Sequence, residues 1–180
     1  LLSLRHSKGT LMGMTLIETI EVGSGGAASI EFTGIDQTGT DLLCLMSLRD
    51  SAGLYSQNNV QLNSYTGSYP YVVLQGEAGS VNSYASTATD SISPLYTNNS
   101  GYTANTFTNT KVYVSNYTSS NAKSVSSDVV TENNGSSSYA QIGAHTYTQT
   151  AAVTSLKINA NGGGSLVQYS SASLYIITAD

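Results

Sequence analysis

The sequence predicts an all-β domain, a sandwich or barrel of about eight to ten strands with little or no helix. Three observations predict it. Short apolar runs with period-two alternation recur from Thr15 to Thr178. Clusters of Gly, Asn and Ser separate them at turn-like intervals. No stretch of ten residues sustains the i, i+3, i+4, i+7 stripe that a helix needs. A length of 180 residues fits one domain. Residues 14–180 read as that domain, with residues 1–13 as an N-terminal arm or extension.

The elements follow in order. In Thr15–Val22, Leu16, Ile20 and Val22 share one phase, and Gly23-Ser24-Gly25-Gly26 then turns the chain. Ile30 and Phe32 alternate with Ser29, Glu31 and Thr33. Leu42–Leu48 is nearly continuous in apolar residues and predicts a central strand buried on both faces. Strands are expected over Val60–Leu62, Tyr71–Leu74 and Ser80–Thr89. Ser91–Asn105, with Asn98-Asn99-Ser100-Gly101, reads as a long surface loop. Val112 and Val114 alternate with Tyr113 and Ser115, and Ser124–Glu132 gives the next strand before a hairpin-type turn at Asn133-Asn134-Gly135. Gly143–Thr148 reads as a polar loop or strand edge. Val153–Ile158 is a strand, Asn161–Gly164 a turn, and Leu166–Thr178 a last strand with a bulge near Ser170-Ser171.

Composition narrows the function. Only 9% of residues are charged, against roughly 25% in an ordinary soluble domain. Ser, Thr, Asn, Gln and Gly must therefore keep the surface wet. Such a surface suits contact with other surfaces better than dispersal by self-repulsion. There are 13 Tyr, 2 Phe and no Trp. Tyrosine favours strands, and its flat ring with a polar tip also suits half-wet interfaces. The five in the loop-rich middle, Tyr65, Tyr69, Tyr71, Tyr96 and Tyr102, are the candidate contact residues. The net charge is −5, with six basic residues and no basic cluster. Nucleic acid and anionic membrane are therefore not expected partners. No apolar run approaches the ~18 residues of a spanning helix. Cys44 lies within Leu42–Met46 and reads as a buried structural thiol, as expected of a chain made in a reducing cytoplasm.

Motifs for chemistry are absent. The two histidines, His6 and His145, and one cysteine cannot supply a zinc site. No calcium-loop run and no G-x-S-x-G elbow occurs. A Ser-His-Asp triad would need His145, one of many serines, and Asp128 or Asp90, a combination without specificity. Six of the eleven acids fall between Glu18 and Asp50, at strand or turn positions, so no acid pair for glycoside hydrolysis stands out. The expectation is a non-enzymatic protein without a cofactor or metal.

Several segments together resemble small virion structural proteins of marine tailed bacteriophages. They are Leu16–Thr19, Ser29–Ile35, Thr40–Leu43, Lys123–Asp128 with Glu132-Asn133-Asn134, Ala152–Leu156 and Ser171–Tyr175. Their order and spacing carry the likeness, which spans most of residues 14–178 and is weakest between Ser51 and Thr108. Asp36 and Gly39 stand where that pattern has Pro and an aromatic, and Ile176 where it has Gly. The resemblance implies an antiparallel jelly-roll-like sandwich on the particle exterior. It further implies a capsid decoration, cement or knob protein, with the major capsid protein or tail proteins as partners and a homo-oligomer as the working form. The alternative is a tail-fibre or receptor-binding module contacting host glycan.

Overall fold

A computed structural model describes residues 12–53, 56–77, 79–133, 138–160 and 163–179. These residues form twelve strands and no helix: β1 (Met12–Glu21), β2 (Ser29–Thr33), β3 (Asp41–Leu48), β4 (Gln57–Leu62), β5 (Tyr71–Glu77), β6 (Ser80–Ser86), β7 (Ile92–Tyr96), β8 (Thr108–Val114), β9 (Lys123–Val130), β10 (Tyr139–Tyr147), β11 (Ser155–Asn159) and β12 (Ser171–Ala179). Residues 1–11, where most of the expected arm falls, lie outside the described residues. Met12 and Gly13 belong to β1 and pair with Ala179 and Thr178.

Eight strands make a jelly roll. One sheet begins β1-β12-β3-β8, and the facing sheet is β2-β11-β4-β7. Counted among themselves in chain order, these strands run 1-8-3-6 opposite 2-7-4-5, the connectivity of two Greek keys folded together. The core lies between the sheets. Leu42, Cys44, Leu48, Val112, Val114 and Leu174 meet Ile30, Phe32, Val60, Leu62, Leu156 and Ile158, all buried. Burial pushes the Cys44 thiol up to about 12, so it stays protonated and inert.

The other four strands extend the first sheet past β8 as β9-β10-β5-β6, bringing it to eight. They come from two inserted hairpins, β5–β6 between β4 and β7, and β9–β10 between β8 and β11. The hairpins pair with each other through β10 and β5, with Ile142 opposite Leu74. The extension overhangs the smaller sheet, whose edge strand β7 packs beneath β5, β9 and β10.

The structure corrects four local expectations. β3 is central but buried on one side only: Leu42, Cys44, Met46 and Leu48 face the core, while Leu43 is half-buried and Leu45 is exposed on the outer face. In β1 the register shifts between Leu16 and Glu18, so Leu16 faces solvent while Ile20 and Val22 turn inward. Strand β7 lies inside the expected Ser91–Asn105 loop; it carries Pro94 at the sheet edge, the position where proline is tolerated. Gly143–Tyr147 is part of β10, which is paired on both sides.

Buried polar side chains tie the loops to the sandwich. Arg49 donates to the carbonyls of Tyr102, Thr103 and Thr106 at 2.9–3.1 Å, pinning the loop after β7. Asn63, held at φ +52°, accepts from the amides of Thr154 and Ser155 at 2.7 and 3.1 Å and so anchors the entry to β11. Tyr117 is fully buried; its hydroxyl donates to the Asp36 carbonyl and accepts from the Gly39 amide. Gly39 is required there, because a Cβ would lie 2.1 Å from Ile176 and 2.9 Å from the Ile177 carbonyl.

Candidate functional site

Within the four-stranded extension, β10 inverts the usual rule for a sheet that covers a core, while β9 keeps it with Val125 and Val129 buried inward. Along β10, Gln141, Gly143 and His145 point inward, and Ala140, Ile142 and Ala144 point outward. Along β5, Val73 and Gln75 are buried while Val72 and Leu74 are 54% and 53% exposed. Cross-strand register joins the outward residues into rows: Val130–Ala140–Gly76–Val81, Asp128–Ile142–Leu74–Ser83 and Ser126–Ala144–Val72–Ala85. Val81 is 80% and Ile142 67% exposed. Among the described strand residues of this outer face, Asp128 alone is charged, and Lys111 neutralises it at 3.3 Å. A shallow depression of about 610 Å³ crosses the face, with Pro70, Val72, Ala85, Ala144 and Thr146 in its lining. The outermost strand, β6, is an unpaired edge without Lys, Pro or any other charge. Those are the devices by which edges normally resist pairing.

The inner face of the same plate sets polar and aromatic side chains beside the buried Val73, Val125 and Val129. The Tyr96 amide donates to Gln141 Oε1 at 3.1 Å, and Gln141 Nε2 donates to Gln75 Oε1 at 3.0 Å. Gln75 Nε2 in turn reaches Glu77 Oε2 at 3.4 Å. The Tyr139 hydroxyl also bonds Glu77; that bond, and then burial, raise the phenol above its ordinary pKa. Tyr96 and Tyr139 stack with centroids 4.9 Å apart and rings 1° from parallel. Two hollows adjoin this stack. One, of about 210 Å³, is lined by Ser56, Tyr96, Thr97, Asn99, Gly101, Tyr102 and Tyr139. The other, of about 190 Å³, is lined by Gln57, Tyr71, Tyr84, Ser93, Pro94 and Tyr96. Ser56 is 1% exposed, and its Oγ has no hydrogen-bond partner among the described residues.

The five tyrosines singled out in the sequence therefore divide. Tyr71, Tyr96 and Tyr102 line the hollows. Tyr65 and Tyr69 form a cluster with Tyr147, with centroids 5.5–5.6 Å apart, under the start of β5. Tyr69 is fully buried, and its hydroxyl bridges the amide and carbonyl of Leu62. Tyr84 and Tyr139 complete the hollows. Their only sequence signal was ring chemistry: Tyr84 sits among small residues, and Tyr139 opens a strand whose inverted pattern hid it.

Beneath Tyr71, His145 Nε2 and Ser127 Oγ lie 2.9 Å apart. That is the spacing of a nucleophile and its base, but both side chains are only 3% exposed. His145 Nδ1 has no partner among the described residues, and Asp128 points to the opposite face. Burial lowers the His145 pKa to about 4, so the ring is neutral at pH 7. Gly143 makes room for the pair, since a Cβ there would sit 2.4 Å from Ser127 Oγ and 2.6 Å from His145 Nε2. The arrangement is a buried structural bond. Among the described residues, no group of three or more His, Cys, Asp or Glu is placed to hold a metal ion.

Comparison with known protein families, with curated proteins and with solved structures gives no match to this chain.

Proposed function

We propose that this chain is a non-enzymatic structural protein on the exterior of a tailed-phage particle, a decoration or cement subunit seated on the capsid shell through the outer face of its sheet extension. The observation that carries the reading is the apolar outer face of the plate. Val72, Leu74, Val81, Val130 and Ile142 stand exposed on one nearly uncharged sheet face. Burying apolar area is worth about 25 cal/mol per Å² before the costs of association. Large contiguous apolar patches are rare on the surface of a monomer and mark contact sites. The occupant that fits is a flat, apolar, weakly charged protein surface, here the major capsid protein, with assembly following the symmetry of the shell. The jelly-roll connectivity, the charge-poor surface and the ordered likeness to phage virion proteins support the same reading. Synthesis in the host cytoplasm accords with the single buried thiol. A tail-borne receptor-binding module is the second reading, favoured by the tyrosine-lined hollows.

Copy number separates the two. Quantitative mass spectrometry of particles from the phage that encodes this chain is expected to find it in a fixed ratio to the major capsid protein, at hundreds of copies per particle on the order of the shell lattice. A handful of copies, or none, contradicts decoration.

A further inference from the structure

We propose that the two hollows sharing Tyr96 form a binding site for a neutral saccharide. The site lies on the inner side of the extension, so it stands or falls independently of the shell-binding face on the outer side.

The argument starts from the rings. Tyr71, Tyr84, Tyr96, Tyr102 and Tyr139 gather around two compartments of about 210 and 190 Å³. Each is smaller than the ~300–1,000 Å³ of a drug-sized ligand site, which suits one sugar ring apiece. The apolar C–H face of a pyranose packs on a phenol ring, and its hydroxyls need donors and acceptors at the rim. Ser56, Gln57, Ser93 and Asn99 supply those groups among the lining residues. Loop placement is fixed: the Asn99 side chain accepts from the Gly101 amide at 2.8 Å, and Arg49 holds the Tyr102 carbonyl at 3.1 Å. The site is therefore built before any ligand arrives, which limits the ordering cost of binding.

A second observation points to a ligand. Ser56 lines the larger compartment, is 1% exposed, and leaves its Oγ without a partner among the described residues. A buried hydroxyl left unpaired costs about 1–3 kcal/mol, and a sugar hydroxyl would satisfy it. Charge then selects the class. Among the described residues, neither compartment has Lys, Arg, Asp or Glu in its lining. Glu77, beside Tyr139, already accepts from that tyrosine and from Gln75. A sulfated or uronate sugar would find no counter-charge, so the ligand is neutral.

The test is calorimetric titration of the whole chain with maltohexaose, cellohexaose, chitohexaose, mannohexaose and galactan oligomers, beside alginate and carrageenan oligomers as anionic controls. At least one neutral oligomer is expected to bind. Tyr84→Ala, at an exposed edge-strand position, should weaken that binding about tenfold, the loss of one stacking contact. Ser56→Ala should weaken it by about three- to tenfold, the loss of one hydrogen bond. Tyr84→Ala should keep the wild-type melting transition, and Ser56→Ala, which removes an unpaired buried hydroxyl, should keep or raise it. Binding of none of the neutral oligomers, binding of the anionic ones alone, or neutral binding unchanged in both variants would overturn the assignment.

Discussion

Replacing Lys123 by alanine is expected to destabilise the fold by on the order of 2–3 kcal/mol, the cost of leaving buried main-chain carbonyls without their charged donor. Lys123 opens β9 and is 1% exposed. Its Nζ donates to the carbonyls of Ser119, Asn121, Thr150 and Ala151 at 2.7–3.1 Å. One ammonium thus closes the turn between β8 and β9 onto the segment that leads into β11. No carboxylate accompanies it among these bonds, and burial lowers its pKa. Its stabilisation comes from satisfied carbonyls, and alanine would leave four acceptors facing a gap. Methionine fills the space without donating, so Lys123→Met should recover only the packing part. Urea melts of the three proteins measure this. A loss under about 1 kcal/mol for alanine, the cost of an ordinary surface change, would contradict the assigned role.

The second large effect is a pH dependence. His145 protonates near 6.5 when unfolded and at about 4 in the folded chain, because burial disfavours the imidazolium. Between these values the unfolded state binds more protons, so stability falls as pH falls. The contribution is fully present above about pH 6.5, is lost progressively through the window, and is gone below about pH 4. At 1.36 kcal/mol per pK unit the total is about 3 kcal/mol. Denaturation curves at stepped pH should show wild type losing about that much more than His145→Gln across the window. Glutamine retains a group able to bond Ser127 but does not titrate. Parallel profiles would contradict the burial account.

The legible and illegible parts of the fold divide along the same line. β2, β3, β8 and β11 were readable because their apolar residues face the core, as Ile30 and Phe32 or Leu156 and Ile158 do. β10 was not, because its inward positions hold Gln141, Gly143 and His145 while Ile142 faces out. β7 was hidden by Pro94 and by the Asn-rich segment that follows. The expected eight to ten strands became twelve through these elements, and the jelly roll itself needed only eight of them. In the candidate site, ring chemistry led to Tyr71, Tyr96 and Tyr102 but could not separate them from Tyr69, whose burial follows from long-range packing on Tyr147. Lys123 and Arg49 gave no sequence signal, since main-chain carbonyls leave no pattern of residue types and those of Thr150, Ala151 and Thr106 lie in distant loops. Strand β10, which defied the pattern, contributes side chains to both faces of the plate. Such disagreement between local pattern and fold is expected where function outranks packing.

The most direct test of the shell-binding account is occupancy of decoration-free particles by a Leu74→Asp/Ile142→Asp variant beside wild type. Both side chains stand more than half exposed at paired positions of β5 and β10; the two new carboxylates would share a cross-strand row with Asp128, so the variant should stay folded but lose about 1–2 kcal/mol of stability, and occupancy is read well below its melting transition. Two unpaired carboxylates forced into an apolar contact should cut occupancy by about a hundredfold or more. Wild-type occupancy by the folded variant would contradict the account and free the outer face from any role in assembly on the shell.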